Sequence, residues 1–153
     1  MLLQKAKYAL KAMIMLAAQK DGVLLQTPDI AEAQKIPRKF LALILLDLEN
    51  RGLVHSQRGR HGGCVLAEPA GEITFGQIVR LMDGPLAPIP CASLTAYRRC
   101  ADYRDEKTCA IRKVMREARD VVAGVLDHVS LAEIRDPSAA ENAPASLTRQ
   151  QVG

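Results

Sequence analysis

With 153 residues, 48% of them hydrophobic and 25% charged, the chain falls in the ordinary globular range, with one buried core and an appendage expected. Aromatic residues make up only 3% and Trp is absent, so the core must be built from Leu, Ile, Val, Met and Ala, which favours helices packed on helices. The net charge of +4 is uneven: residues 1–67 hold ten basic and five acidic side chains, and residues 68–153 eleven and twelve, so the positive excess lies where a polyanion is expected to bind.

The opening run MLLQKAKYALKAMIMLAAQK superficially resembles a signal peptide, but its lysines are interleaved with the apolar residues rather than placed ahead of them. Leu3, Ala6, Leu10, Met13, Ile14 and Ala17 fall on one helical stripe, which predicts an amphipathic first helix in a cytoplasmic protein. Nowhere does an apolar stretch approach the ~20 residues needed to span a bilayer, so no membrane partner is expected.

After Lys20-Asp21-Gly22, Thr27 is expected as N-cap and Pro28 as first residue of a short helix reaching about Lys35. A new start at Ile36-Pro37 leads into RKFLALILLDLEN, apolar at Phe40, Leu41, Ile44, Leu45 and Leu48 and closed by Gly52. Two helices joined so tightly make a helix-turn-helix. The strand-like runs LVHSQ and CVLA flank the basic, glycine-rich segment from Arg58 to Gly63, a hairpin wing.

Thr74 with Gln77 forms a capping box and Ile73 with Ile78 a hydrophobic staple, which predicts a helix over 75–83 ended by Gly84. Pro85, Pro88 and Pro90 then impose an irregular stretch. From about Thr108 to Ile134, Ile111, Met115, Ala118, Val122, Val125 and Val129 recur with a 3.5-residue period, the seam of a helical zipper joining two copies, with Val114, Val121 and Leu126 as a flank toward the body. The expected organisation is a mostly α fold: a winged helix-turn-helix domain over 1–84, a cysteine-containing loop over 85–107, a dimerisation helix over 108–135 and a disordered tail over 136–153.

In a winged helix the second helix of the motif enters the major groove and the wing reaches along the backbone or into the minor groove. The candidate contacts to double-stranded DNA are Arg38 and Lys39 on that helix, Arg58, Arg60 and His61 on the wing, and Thr27 and Pro28 at the start of the preceding helix. Lys5, Lys7 and Tyr8 on the first helix are placed for phosphate contacts that fix register. A winged-helix module that binds protein instead is the rival from another class. An enzyme is disfavoured: no Ser/His/Asp set is evident, no glycine-rich phosphate loop precedes a helix, and His55, His61 and His128 are scattered.

Cys91, Cys100 and Cys109 fall within 19 residues, each separated from the next by eight intervening residues, while Cys64 lies alone where the wing returns. A structural zinc site shows pairs spaced two to four apart, and a disulfide framework does not suit a cytoplasmic chain with an odd cluster. Spacing alone leaves two readings open, an iron-sulfur cluster and a thiol switch that oxidises to a disulfide or sulfenic acid.

Taken together, KYALKAMIMLA, the block DIAEAQKIPRKFLALILLDLENRGLVHSQRGRHGGCVLAEPAGEITFGQIV, the three cysteines and the long helix resemble the Rrf2 family of bacterial regulators, which includes IscR, NsrR, RirA and CymR. The resemblance spans residues 1–134. It implies a homodimeric, cytoplasmic DNA-binding transcription regulator, expected to be a repressor on a pseudo-palindromic operator. It also implies a 2Fe–2S or 4Fe–4S cluster on Cys91, Cys100 and Cys109, sensing redox state, iron or nitric oxide. The cysteine spacings are longer than in the best-known cluster-binding members. The first-helix position that is acidic in some relatives is Tyr8 here, which leaves Asp102, Asp105 and Glu106 as candidates for a fourth ligand.

Overall fold

A computed structural model describes residues 2–135; the tail expected over 136–153 lies outside the described residues. In chain order the elements are α1 (Gln4–Ala17), α2 (Thr27–Gln34), α3 (Arg38–Asn50), β1 (Val54–Gln57), β2 (Gly63–Leu66), α4 (Phe75–Asp83), α5 (Ala110–Leu126) and α6 (Leu131–Arg135), with short 3-10 turns at Ala70–Glu72, Pro90–Ala92 and Glu106–Thr108. No helix among the described residues is long and apolar enough to cross a membrane.

The first helix forms because Ala6, Ala9, Leu10, Met13, Leu16 and Ala17 recur on one face, and that face is buried against α3, α4 and α6. Leu3, expected on the same stripe, precedes the helix and is 59% exposed. Its N–H instead donates to Asp83 Oδ2 at 2.7 Å, tying the chain start to the end of α4. Met13, Ile30, Leu41, Ile44, Leu48, Ile73, Ile78 and Leu131 are fully enclosed in one cluster, each such burial contributing about 1.5–3 kcal/mol.

The second helix starts one residue earlier than expected. Gln26 rather than Thr27 is the N-cap, because its carbonyl already accepts from Asp29 and Ile30 N–H at 3.0 and 3.2 Å. Both α2 and α3 end in the same device. Leu53 N–H reaches back to Leu48 O at 3.0 Å and Gly52 N–H to Glu49 O at 2.9 Å, with Gly52 at φ +75°; Ile36 N–H reaches Ala31 O at 2.9 Å and Lys35 N–H Glu32 O at 3.2 Å. The second case makes the tight turn of the helix-turn-helix and forces Lys35, a non-glycine residue, to φ +54°.

Strands β1 and β2 pair antiparallel, Val54 opposite Leu66 and Gln57 opposite Gly63, around the hairpin loop. Leu25 and Cys64 exchange N–H donors at 2.9 and 2.7 Å along the outer edge of β2, so the chain entering α2 braces the wing. A side chain at Gly63 would meet Leu25 O at 2.6 Å, which fixes a glycine there.

The long helix is shorter than its periodicity predicts. It ends at Leu126, and residues 129–131 return alongside 73–75 through Phe75 N–H to Val129 O and Leu131 N–H to Ile73 O, at 3.0 and 2.9 Å. The break is encoded by Ser130 and Glu133. Ser130 N–H donates to Glu133 Oε2 at 3.0 Å and Glu133 N–H to Ser130 Oγ at 3.4 Å, a capping box that starts α6 and delivers Leu131 to the core.

Candidate functional site

Arg38 and Lys39 occupy the exposed first turn of α3, capped by Pro37 without any side-chain acceptor. The wing carries Arg58, Arg60 and His61, all exposed, and Gln26 Nε2 donates to Arg60 O at 3.4 Å, fixing the wing tip to the start of α2. Between α3 and the wing runs a groove of about 530 Å³ whose lining includes Thr27, Ala42, Leu46 and Arg60. Pro28 is exposed beside it in sequence, at the second position of α2.

Of the first-helix candidates, Lys7 is exposed, whereas the other two have partners within the fold. Lys5 Nζ lies 2.6 Å from Asp47 Oδ2 of α3. Tyr8 packs edge-on against Phe40 with ring centroids 5.7 Å apart and an interplanar angle of 75°. Lys11 Nζ donates to Gln34 O, satisfying a carbonyl at the end of α2. Through these contacts α1 holds both helices of the helix-turn-helix.

The three cysteines come together. Cys91, Cys100 and Cys109 line one cavity of about 580 Å³, with Asp102 and Tyr103 on its wall. Cys91 sits in the 3-10 turn Pro90–Ala92 and is buried; Cys109 is also buried, and its sulfur caps α5 by accepting from Arg112 N–H at 3.5 Å. Burial first, then the proximity of Cys100 and of the Glu106 carboxylate, pushes the Cys91 thiol above its usual 9.0. Cys64 stays apart, buried under the wing with Ser56 Oγ at 3.7 Å.

Glu106 organises the loop between the cysteines. Its carboxylate accepts from Tyr97 OH at 2.6 Å and from Cys100 N–H at 2.7 Å, with Arg112 Nε at 3.9 Å. The Tyr97 hydrogen bond, followed by that from Cys100 N–H, holds the Glu106 carboxyl below its usual range. Asp105 is engaged differently, accepting from Lys107 N–H at 3.0 Å as cap of the turn Glu106–Thr108. Among the described residues no group of three His, Cys, Asp or Glu side chains is disposed to hold a single metal ion. Three thiols on one cavity are nonetheless the donor type that an iron-sulfur cluster takes.

The flank of α5 that meets the body differs from the expected one. Arg112, Met115, Arg119, Ala123 and Leu126 face inward, while Val114 and Val121, expected there, are 56% and 68% exposed. Arg112 Nε donates to Cys91 O at 2.9 Å, and Arg119, only 7% exposed, donates to Ala92 O. The two arginines therefore grip the turn that carries Cys91. Their signal in the sequence was the seven-residue spacing within the helix period, masked because charged residues read as solvated. Outward, Ile111, Val114, Ala118, Val121, Val122 and Val125 form an exposed, almost wholly aliphatic face.

Comparison with known proteins adds to this geometry. The model of the Rrf2 family, described as an iron-dependent transcriptional regulator, matches residues 2–137. The chain is 42% identical over 150 residues to an rrf2-like HTH-type transcriptional regulator of Rhodobacter capsulatus, covering 96% of this chain and 98% of that protein. Among solved structures it is similar to CymR, the global cysteine regulator of Bacillus subtilis, with 29% identity and a TM-score of 0.72 over 94% of this chain and 98% of that one. It also shares the fold of the IscR of T. potens, with a TM-score of 0.71 at 21% identity over 98% of this chain and 96% of that one.

Proposed function

The chain belongs to the Rrf2 family of transcriptional regulators, and we propose that it acts as a homodimer on double-stranded DNA, with operator affinity set by chemistry at Cys91, Cys100 and Cys109. Members of this family regulate transcription and are not enzymes. The observation that carries the sensing role is the convergence of the three thiols on one cavity at the start of α5.

Arg38, Lys39, Arg58, Arg60 and His61 face the duplex, with Thr27 and Pro28 near the groove and Lys7 on the phosphates. Lys5 and Tyr8 contribute by holding α3 in place, through Asp47 and Phe40. Two heads joined through the aliphatic face of α5 would sit on half-sites about 34–36 Å apart, the spacing of a pseudo-palindromic operator. Bound there, the dimer acts as a repressor.

Cys91, Cys100 and Cys109 would hold an iron-sulfur cluster, which when bound supplies a centre whose charge responds to oxidants, iron or nitric oxide. Asp102 is the acid best placed as a fourth ligand, since it lines the cavity while Asp105 and Glu106 are occupied by N–H and O–H donors. Arg112 and Arg119 link the Cys91 turn to α5, so a change at the sulfurs moves the helix that sets head separation.

The second reading is a thiol switch without a cluster. It is supported by the three free thiols on one cavity and by the likeness to the CymR of Staphylococcus aureus, whose structure is of an oxidized form. The test measures iron, sulfide and visible absorption on protein purified without oxygen, beside a variant with all three cysteines changed to Ala. Colour and iron that vanish in the variant, with operator affinity changing in parallel, are expected. Colourless wild-type protein whose DNA binding reverses with dithiothreitol selects the thiol switch, and indifference to every duplex at low ionic strength defeats both.

A further inference from the structure

The outward surface of α3 is unusual for a helix that reads DNA by hydrogen bonds. Between Lys39 and Asn50 its exposed residues are Ala42, Leu43 and Leu46, and the two leucines are 60% and 51% exposed. Spacings of three and four put these three side chains on neighbouring positions of one helix face. Ala42 and Leu46 line the groove shared with the wing.

The carboxylates of the same helix are taken up elsewhere. Asp47 pairs with Lys5 at 2.6 Å, and Glu49 accepts from Ser56 N–H at 3.2 Å. What α3 offers outward is an aliphatic strip between cations, Arg38 and Lys39 at its start and Arg58 and Arg60 on the wing. That charge pattern complements a phosphate-walled groove with an apolar group on its floor. In the major groove of DNA that apolar group is the 5-methyl of thymine.

We propose that Ala42, Leu43 and Leu46 read thymine methyl groups in the major groove, so that the operator carries thymines beneath the middle of α3. The inference rests on the DNA-binding reading above and adds to it the base class recognised. Arg38 and Lys39 supply the polar contacts at the end of the strip, and the aliphatic residues discriminate by burying or failing to bury a methyl.

The experiment starts from duplexes enriched from a random-sequence library by the full chain. Each thymine of the enriched site is then replaced singly by deoxyuridine, which removes the methyl and keeps every hydrogen-bonding group. An affinity loss of about three- to fivefold at one or more positions is expected, the effect of losing the burial of about one methyl. In Leu43→Ala and Leu46→Ala that difference shrinks toward none, whereas Lys39→Ala lowers binding equally on both duplexes. Both leucines lie outside the core, so these variants keep the wild-type melting temperature.

Equal affinity of the wild type for thymine and uracil duplexes at every position overturns the inference alone. Failure to enrich any duplex defeats the DNA-binding reading and the inference with it. A change of oligomeric mass in the Leu43→Ala, Leu46→Ala double variant, with thymine discrimination intact, assigns the strip to a protein contact and overturns it as well.

Discussion

Arg80 of α4 and Asp127 at the end of α5 form a two-point ion pair, with contacts of 2.5 and 2.8 Å, directly over Gly76. A Cβ at Gly76 would stand 1.9 Å from Asp127 Oδ1 and 2.9 Å from Arg80 Nη1. In an ordinary helix interior, Gly→Ala stabilises by about 1 kcal/mol. Here the sign is expected to reverse. Gly76→Ala should lose roughly 1 kcal/mol, since the methyl group drives the pair apart and unseats α5 from α4. Urea denaturation of the two proteins checks this, and a gain in midpoint would show that the pair relocates without penalty.

The same pair sets a pH dependence. The Arg80 hydrogen bond is the main cause that lowers the Asp127 carboxyl below its ordinary 3.8. A carboxyl lowered by folding contributes stability that is fully present above its unfolded pKa and is lost as pH falls through the folded one. Asp127→Asn should therefore be less stable than wild type through neutral pH, by no more than about 1 kcal/mol because both side chains remain partly in water. The difference should close below about pH 3.8. Thermal melts of the two proteins at pH 7 and at the lowest pH where both fold give the comparison.

Lys35 supplies an independent test of the helix-turn-helix. Its φ of +54° and ψ of +50° place it in the left-handed region, which costs a side-chain-bearing residue about 1–2 kcal/mol and glycine little. Because Lys35 is exposed, Lys35→Gly removes that strain without opening the core. A gain of about 1 kcal/mol, seen as a melting temperature a few degrees higher, is expected. An unchanged or lower value would mean that the lysine side chain contributes a contact worth as much as the strain.

How much of this was legible in the sequence can be judged from these same residues. The helix-turn-helix, the wing and α4 were readable because their signals are local: Pro37 and Gly52 bracket α3, and Thr74, whose Oγ1 accepts from Gln77 N–H at 3.2 Å, starts α4. The shared cavity of Cys91, Cys100 and Cys109 was foreshadowed by their clustering. The end of α5 was misjudged because Val129 continues the 3.5-residue period through a turn, and Ser130 with Glu133 is outvoted when only apolar spacing is counted. Lys5 with Asp47 and Arg119 with Ala92 join residues far apart in the chain, and no local pattern encodes them.

Glu106 ties down the middle of the cysteine-containing loop, through Tyr97 OH and Cys100 N–H. Its removal leaves the exposed Arg98, Arg99 and Arg104 on a segment without that anchor. Glu106→Ala is expected to raise the initial rate of tryptic cleavage after these arginines severalfold while the melting temperature of the head is kept. Mass spectrometry of the early fragments measures it, and cleavage at the wild-type rate would show that the cysteine turns alone order the loop.

The aliphatic face of α5 makes the assembly itself testable. Val114 and Val121 lie seven residues apart on that face and are more than half exposed, so a charge at either position disturbs no packing within one chain. In a two-fold zipper the same residues meet their counterparts across the axis, where carboxylates would be desolvated beside one another. Val114→Glu with Val121→Glu is expected to convert the proposed dimer to monomer at micromolar concentration in sedimentation equilibrium, with helix content retained. The monomer should lose at least tenfold in operator affinity, since one head engages one half-site. A doubly substituted protein that keeps the wild-type mass would place the dimer contact on another surface and leave this face for a different partner.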